Sequence, residues 1–165
     1  MAMEKRSPWY GLMSEKLANS GYEQIIGLRD LYPAPREYLP ELREFLDTEL
    51  TVCAIPTDIF VAVMEIEAWF IEEWTHFPRI DPTLSMAHIE NALHFNPSKL
   101  EAASLDHPAI FLDNTYHLVG HSYKKRKWQA QATMDYLDFA AMYIELPERV
   151  PELARLIQGI DQALS

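Results

Sequence analysis

The chain has 165 residues, 48% of them hydrophobic, with 25 acidic side chains against 14 basic ones and a net charge of −11. That length suits one domain with its own core, and the acidic balance argues against broad, sequence-independent nucleic-acid binding, which relies on Lys and Arg neutralising phosphates. A single cysteine, Cys53, excludes an internal disulfide framework and a Cys-based zinc site; the opening MAMEKRSPWYGLMSEK holds no apolar run of signal-peptide length and the longest apolar stretch, IFVAVM, is too short to span a bilayer, so a cytoplasmic protein without a membrane segment is expected.

The first clear element is the apolar run Ile25 to Leu28 in EQIIGLRD, which reads as a buried strand ending at Arg29 or Asp30. Pro33 and Pro35 force an extended exit. In REYLPELREFLDTEL, Leu39, Leu42, Phe45, Leu46 and Leu50 recur at helical spacing and predict an amphipathic helix. TVCAIPTD is ambiguous and broken by Pro56. IFVAVM, β-branched and aromatic, predicts a second strand over 59–64. From Ile66 the period changes. Ile66, Trp69, Phe70, Trp74 and Phe77 fit one helix face, so VMEIEAWFIEE is a strand-to-helix junction with Glu65 and Glu67 at its turn.

Beyond Pro78 the pattern is helical. Asp81-Pro82, Asn96-Pro97 and Asp106-His107-Pro108 each place a capping side chain near a proline, a helix-start signal. Gly120 is expected to end the third of these helices. WQAQATMDYLDFAAMYIE reads as continuous helix. VPELARLIQGIDQAL closes the chain, with Val150, Leu153, Leu156, Ile157, Ile160 and Leu164 as its buried stripe.

The expected order is β-α-β-α over 1–77, then a mainly helical part over 78–165, within one domain. Two strands joined by a helix predict a parallel βαβ unit. A two-stranded sheet alone is marginal, so a further strand from residues 1–20 or 51–56 is expected, or a second subunit or partner protein over the sheet edge.

In that arrangement Asp30 and Glu65 both lie at carboxyl ends of strands, on the edge where open α/β sheets bind ligands. Carboxylates there suit Mg²⁺, which prefers oxygen donors and stabilises charge in phosphoryl transfer. Glu67 falls in the first helical turn, where the helix dipole favours a negative group. Helix capping explains the same carboxylates without a metal. In HSYKKRKW, four consecutive basic residues lie between Tyr123 and Trp128, a composition suited to phosphates and stacked bases; a solvated basic turn is the alternative. His117 and His121 are four apart, but Gly120 between them interrupts a shared helical face.

IIGLRDLYP followed by AVMEIEAWFIEE resembles a bacterial family of unassigned function related to the Toprim fold. Its most recognisable segment is E-x-E-A-W-[FL], here Glu65, Glu67, Ala68, Trp69 and Phe70, and a later Y-x-K is matched by Tyr123 and Lys125. The resemblance runs from about Gly21 to the C terminus. It implies a small Toprim-like parallel sheet with a helix-rich C-terminal half. It also implies Mg²⁺-dependent phosphoryl transfer of the kind found in topoisomerases, primases and related nucleases. On it, Asp30, Glu65 and Glu67 would be metal ligands and Lys125 would touch a phosphate or nucleic-acid ligand. The chain departs from the pattern twice: Tyr32 stands where a second Asp belongs, and no strand followed by Glu precedes residue 20. A catalytically degenerate interaction module, acting through oligomerisation or a partner protein, is therefore the alternative.

Overall fold

The computed structural model describes residues 9–99 and 101–165. Helix α1 (Trp9–Ala18) leads to strand β1 (Ile25–Asp30), helix α2 (Leu39–Glu49) and strand β2 (Thr57–Ala62). β1 and β2 pair in parallel, from Ile25 opposite Thr57 to Asp30 opposite Ala62, so the predicted βαβ unit is present. No third strand joins them among the described residues. Trp9–Ala18 is helical and Leu50–Val52 is a 3-10 turn, so neither supplies the strand expected there; residues 1–8 lie outside the described residues. α1 is fixed to the chain just beyond that turn by Ser14, fully buried, whose hydroxyl donates to the Gly11 carbonyl and accepts from the Ala54 N–H at 2.9 Å.

β2 begins two residues earlier than IFVAVM suggests and stops at Ala62. Met64 takes a left-handed backbone (φ 60°), which ends the strand and turns the chain towards its next helix. Side chains of β2 alternate between two layers. Ile59, Val61 and Val63 pack with Leu31 against Leu39, Leu42, Phe45, Leu46 and Leu50 around α2, whose predicted apolar stripe is thus the buried one. Ala62, on the other face, joins the main core formed with the helical half.

That half comprises α3 (Glu67–Glu72), α4 (Phe77–Ile80), α5 (Met86–Leu93), α6 (Pro108–His117), α7 (Lys127–Met134), α8 (Phe139–Ile144) and α9 (Pro151–Leu164). The expected helix from Ile66 to Phe77 is broken after Glu72. Glu73 leaves the helical backbone (φ −84°, ψ 56°), and Trp74–His76 forms a 3-10 turn before α4 restarts with Pro78 in its first turn, where no N–H is needed. The predicted apolar face is nevertheless core: Trp69, Phe70 and Phe77 are buried, and Ile66 and Trp74 pack against them.

Two of the three proline-marked helix starts are turns instead. The Asp81 carboxylate accepts from the N–H and hydroxyl of Thr83, and the Asn96 amide oxygen from those of Ser98. Each side chain closes a local turn across its proline rather than opening a helix. Ser85 caps α5. The third signal holds, since Pro108 opens α6, which ends at His117 with Gly120 (φ 76°) closing the following turn.

The stretch 128–145 is two helices rather than one. At the break Arg79 donates to the Tyr136 carbonyl (2.7 Å), the buried Glu73 carboxylate accepts from the Asp138 N–H (3.2 Å), and Asp138 then caps α8. In α9 the stripe is buried at Val150 and Leu153, but Ile160 and Leu164 are exposed. Gly159 permits the close approach of α9 to β2: a Cβ there would lie 2.3 Å from the Phe60 ring. No described helix is long and apolar enough to cross a membrane.

Candidate functional site: a lysine held by three carboxylates

The site forms where the β2–α3 turn meets the loop after α6. Asp30, the last residue of β1, reaches across the sheet edge and accepts from the Ile66 N–H at 2.9 Å. It thereby caps α3 from the neighbouring strand, an orphan donor that α3's own N-cap side chain leaves unsatisfied. Glu65 lies in the bend after Met64 and Glu67 in the first turn of α3. Both are buried (5% and 2% exposed) in a chain that has ample surface for its acids.

The loop 118–126 approaches from the other side. Asp113 of α6 accepts from the Tyr123 N–H at 2.7 Å and pairs with the Lys124 ammonium. The buried Gln129 accepts from the Lys124 N–H and donates to the Ser122 carbonyl, each at 2.8 Å. Burial works to raise the Asp113 carboxyl, but the hydrogen bonds from Lys124 and Tyr123 outweigh it and hold it below the usual carboxylate range. With the loop held in this way, Lys124 turns to Asp113, while Tyr123 and Lys125 both turn to the glutamates. Lys125 itself has φ 54°, a left-handed conformation that a non-glycine residue adopts at a cost of about 1 kcal/mol or more.

The result is a regular donor–acceptor pattern. One oxygen of each carboxylate is fixed by a neutral donor: Asp30 Oδ1 by Ile66 N–H, Glu65 Oε2 by Ala109 N–H at 2.8 Å, and Glu67 Oε1 by the Tyr123 hydroxyl at 2.7 Å. The second oxygen of each faces the Lys125 Nζ, at 2.7 Å from Glu65, 3.2 Å from Glu67 and 3.6 Å from Asp30. Glu67 Oε2 is sealed from solvent and accepts no directional hydrogen bond among the described residues; the ammonium lies 3.2 Å from it. All four residues singled out from the sequence are therefore adjacent. Asp30 and Glu65 lie well inside the roughly 10 Å that one hydrated Mg²⁺ can bridge.

Burial alone pulls the Lys125 ammonium down, but the hydrogen bond to Glu65 and the charges of Glu67 and Glu65 hold it above its ordinary value. Burial, reinforced by the hydrogen bond and charge of Glu67, pushes the Tyr123 phenol up, so it stays protonated and donates. Three carboxylate oxygens converging on one point are a hard-donor set of the kind Mg²⁺ takes. Their spacing is set for an ammonium, however, and among the described residues no three acidic, His or Cys side chains stand at metal-coordination spacing. A divalent ion at this point would have to displace Lys125 and draw the oxygens inward.

The basic run divides by role. Lys124 and Lys125 are paired with acids, whereas Arg126 and Lys127 are exposed and form no ion pair among the described residues. Tyr123 and Trp128, expected as two flanking stacking surfaces, also part. Tyr123 is 3% exposed and serves as a hydrogen-bond donor, and Trp128 is 63% exposed. His117 bonds the Asp113 carbonyl at 2.8 Å and lies 3.4 Å from its carboxylate. Asp113, Gln129 and the Ala109 N–H escape the sequence reading because their role is to position the loop, and nothing in their spacing marks it.

A second polar centre lies beneath α4. His76 is fully buried, with Nε2 3.3 Å from the Tyr116 hydroxyl, which itself donates to Thr133 at 3.1 Å. Burial lowers the His76 imidazole to about 4, so it is neutral and its neighbour Glu73 pairs with Arg79 instead. Glu72 accepts from the Ala102 N–H and pairs with Arg149 at 3.2 Å. These contacts bind helices to one another.

The chain matches no protein-family model, no curated protein and no solved structure.

Proposed function

We propose that Asp30, Glu65 and Glu67 form a divalent-cation site, and that the chain is a Toprim-like protein acting on a phosphoester ligand by Mg²⁺-dependent phosphoryl transfer, of the nuclease-like, nucleic-acid-processing kind. The observation that carries this reading is the arrangement of oxygens: one of each carboxylate fixed by a neutral donor, the other three aimed at one cation. The position at the carboxyl edge of a parallel sheet and the resemblance carried by Glu65, Glu67, Ala68, Trp69 and Phe70 support it. A Mg²⁺ ion held by the three carboxylates would stabilise charge on a phosphoryl oxygen.

The chain's own residues have distinct parts in this reading. The N–H groups of Ile66 and Ala109 and the Tyr123 hydroxyl orient the carboxylates. Lys125, 41% exposed, is their shared counter-ion in the resting state and, once displaced, is a cation within reach of a phosphate. The test is a melting scan with Mg²⁺, Mn²⁺ and a chelator, for the wild type and Glu65→Ala. A metal-dependent rise that Glu65→Ala abolishes supports the site, since a ligand of the folded state raises stability by mass action. No rise in the wild type overturns it.

One observation favours a second reading, the catalytically degenerate interaction module. The Lys125 ammonium already occupies the point where the three carboxylates converge, so they are explicable as a packing device. In that case the exposed Ile26 and Leu28 on β1 form the surface open to a second copy or a partner protein. Sedimentation of the metal-free chain separates the two readings. Self-association lost in Leu28→Lys, with no metal response, selects the module.

A further inference from the structure

We infer that the cavity between the turn after α6 and helix α7 is a nucleotide-base pocket, which takes a planar base while the cations beside it take its phosphate. It deepens the reading above by naming the ligand class, and rests on that reading for the adjoining phosphoester site.

The cavity has a volume of about 390 Å³ and is lined by residues of the turn and helix from Gly120 to Tyr136, with Ile80 and Tyr116. Its walls are unusually aromatic. Tyr116 and Tyr123 are buried, and their rings pack edge to face with centroids 6.2 Å apart. Trp128 and Tyr136 stand 63% and 41% exposed at its lining. An indole left in water on the first turn of a helix forgoes the burial that usually places tryptophan. On a pocket wall it offers a face for stacking, which tolerates any base because every base has a π-face. Ser122 and His121 add exposed polar groups for a base edge.

The charge pattern selects an anionic planar ligand over a neutral one. The chain carries −11 overall, yet the two residues directly before Trp128, Arg126 and Lys127, are exposed cations with no ion pair among the described residues. Their neighbours Lys124 and Lys125 are both spent on carboxylates. Tyr123 joins the pocket to the candidate cation site: its ring lines the cavity and its hydroxyl holds Glu67. A base beside Trp128 would therefore sit one tyrosine ring away from the three carboxylates.

The experiment is a titration of the full chain in chelator, followed by tryptophan fluorescence and calorimetry. The probes are a thymidine octanucleotide, thymidine monophosphate and inorganic triphosphate. Expected are saturable quenching by a base-bearing probe, a loss of affinity of about 10-fold or more in Trp128→Ala, and weakening by added salt and by Arg126→Ala with Lys127→Ala. Binding of the octanucleotide alone assigns the pocket to a strand; binding of the monophosphate as well assigns it to free nucleotide. Equal binding by triphosphate, unchanged binding in Trp128→Ala with the wild-type melting temperature, or no binding of any probe overturns the proposal. Because the titration is metal-free, its outcome is independent of the Mg²⁺ melting scan.

Discussion

Lys125→Met tests most directly how the carboxylate cluster is held. The variant keeps most of the aliphatic stem and removes the ammonium, leaving Glu65 and Glu67 buried without their counter-ion. Breaking a fully buried pair costs about 3–5 kcal/mol, and an exposed pair about 0–1. Lys125 is 41% exposed, so solvent screens part of the interaction and the expected loss lies between, about 1–3 kcal/mol. For a chain of this size that lowers the melting temperature by roughly 2–12 °C. In the metal-site reading the same change removes the competitor for the three oxygens. Mg²⁺ or Mn²⁺ should then restore stability, by about 2.7 kcal/mol at a hundred times its dissociation constant, and more than in the wild type. The assay is circular-dichroism melting with metal and with chelator. A variant as stable as the wild type refutes the role given to Lys125. A destabilised variant that neither metal rescues refutes the cation site and leaves an internal ion pair. The pH dependence has a fixed sign. The Lys125 pKa is raised in the folded state, so its contribution is complete below its unfolded value near 10.4 and is lost as pH rises through the higher folded value. The variant should lack that alkaline loss.

Three further outcomes are expected. Tyr123→Phe deletes the hydroxyl on Glu67 Oε1 and leaves a buried carboxylate without a hydrogen bond; urea melts should show a loss of about 1–3 kcal/mol. Gly159→Ala should destabilise by about 1–3 kcal/mol despite alanine's better helix propensity, because the new Cβ meets the Phe60 ring, and Phe60→Leu should relieve it in the double variant. For His76, the folded pKa of about 4 lies below the unfolded value near 6.5, so the unfolded chain binds the extra proton between them and stability falls on acidification, by about 3 kcal/mol at most. Burial raises Glu72 and Glu73, which favours the folded state as they protonate and opposes that fall; comparing wild type with His76→Phe across this window isolates the histidine, and identical slopes would refute its assignment.

The positions of the strands, α2, the core face of Trp69, Phe70 and Phe77, and the start of α6 were legible in the sequence because each carries its own pattern; the burial expected of β1 was not, since Ile26 and Leu28 are exposed on an uncovered sheet face. The breaks were not legible either. Asp81 and Asn96 look like helix caps, yet each bonds two residues on and closes a turn, an outcome decided by where the following chain must go. The break between α7 and α8 is imposed from afar by Arg79 and Glu73, which take backbone groups of Tyr136 and Asp138. No local pattern in WQAQATMDYLDFAAMYIE encodes those partners. The same division runs through the site. Asp30, Glu65, Glu67 and Lys125 stand at positions that strand ends and a short Y-x-K pattern identify, whereas the Ala109 N–H that fixes Glu65 is a main-chain group 44 residues away.

The cluster also joins the two halves of the chain. Asp30 and Glu65 come from the sheet and its exit, and Ala109, Tyr123 and Lys125 from the helical half. Three of the contacts on the carboxylates cross between them: Ala109 to Glu65, and Lys125 to Glu65 and Asp30. Two of those three come from the loop that Asp113 and Gln129 hold, so releasing Lys125 loosens the glutamates only as far as the Tyr123 hydroxyl and the Ala109 N–H allow. Those neutral donors keep one oxygen of each glutamate in place when the ammonium leaves. A structural ion pair needs such donors too, because the remaining lone pairs of the buried glutamates must be satisfied. A site that exchanged its cation would use them further, since the acceptors would stay converged while the charge between them changed.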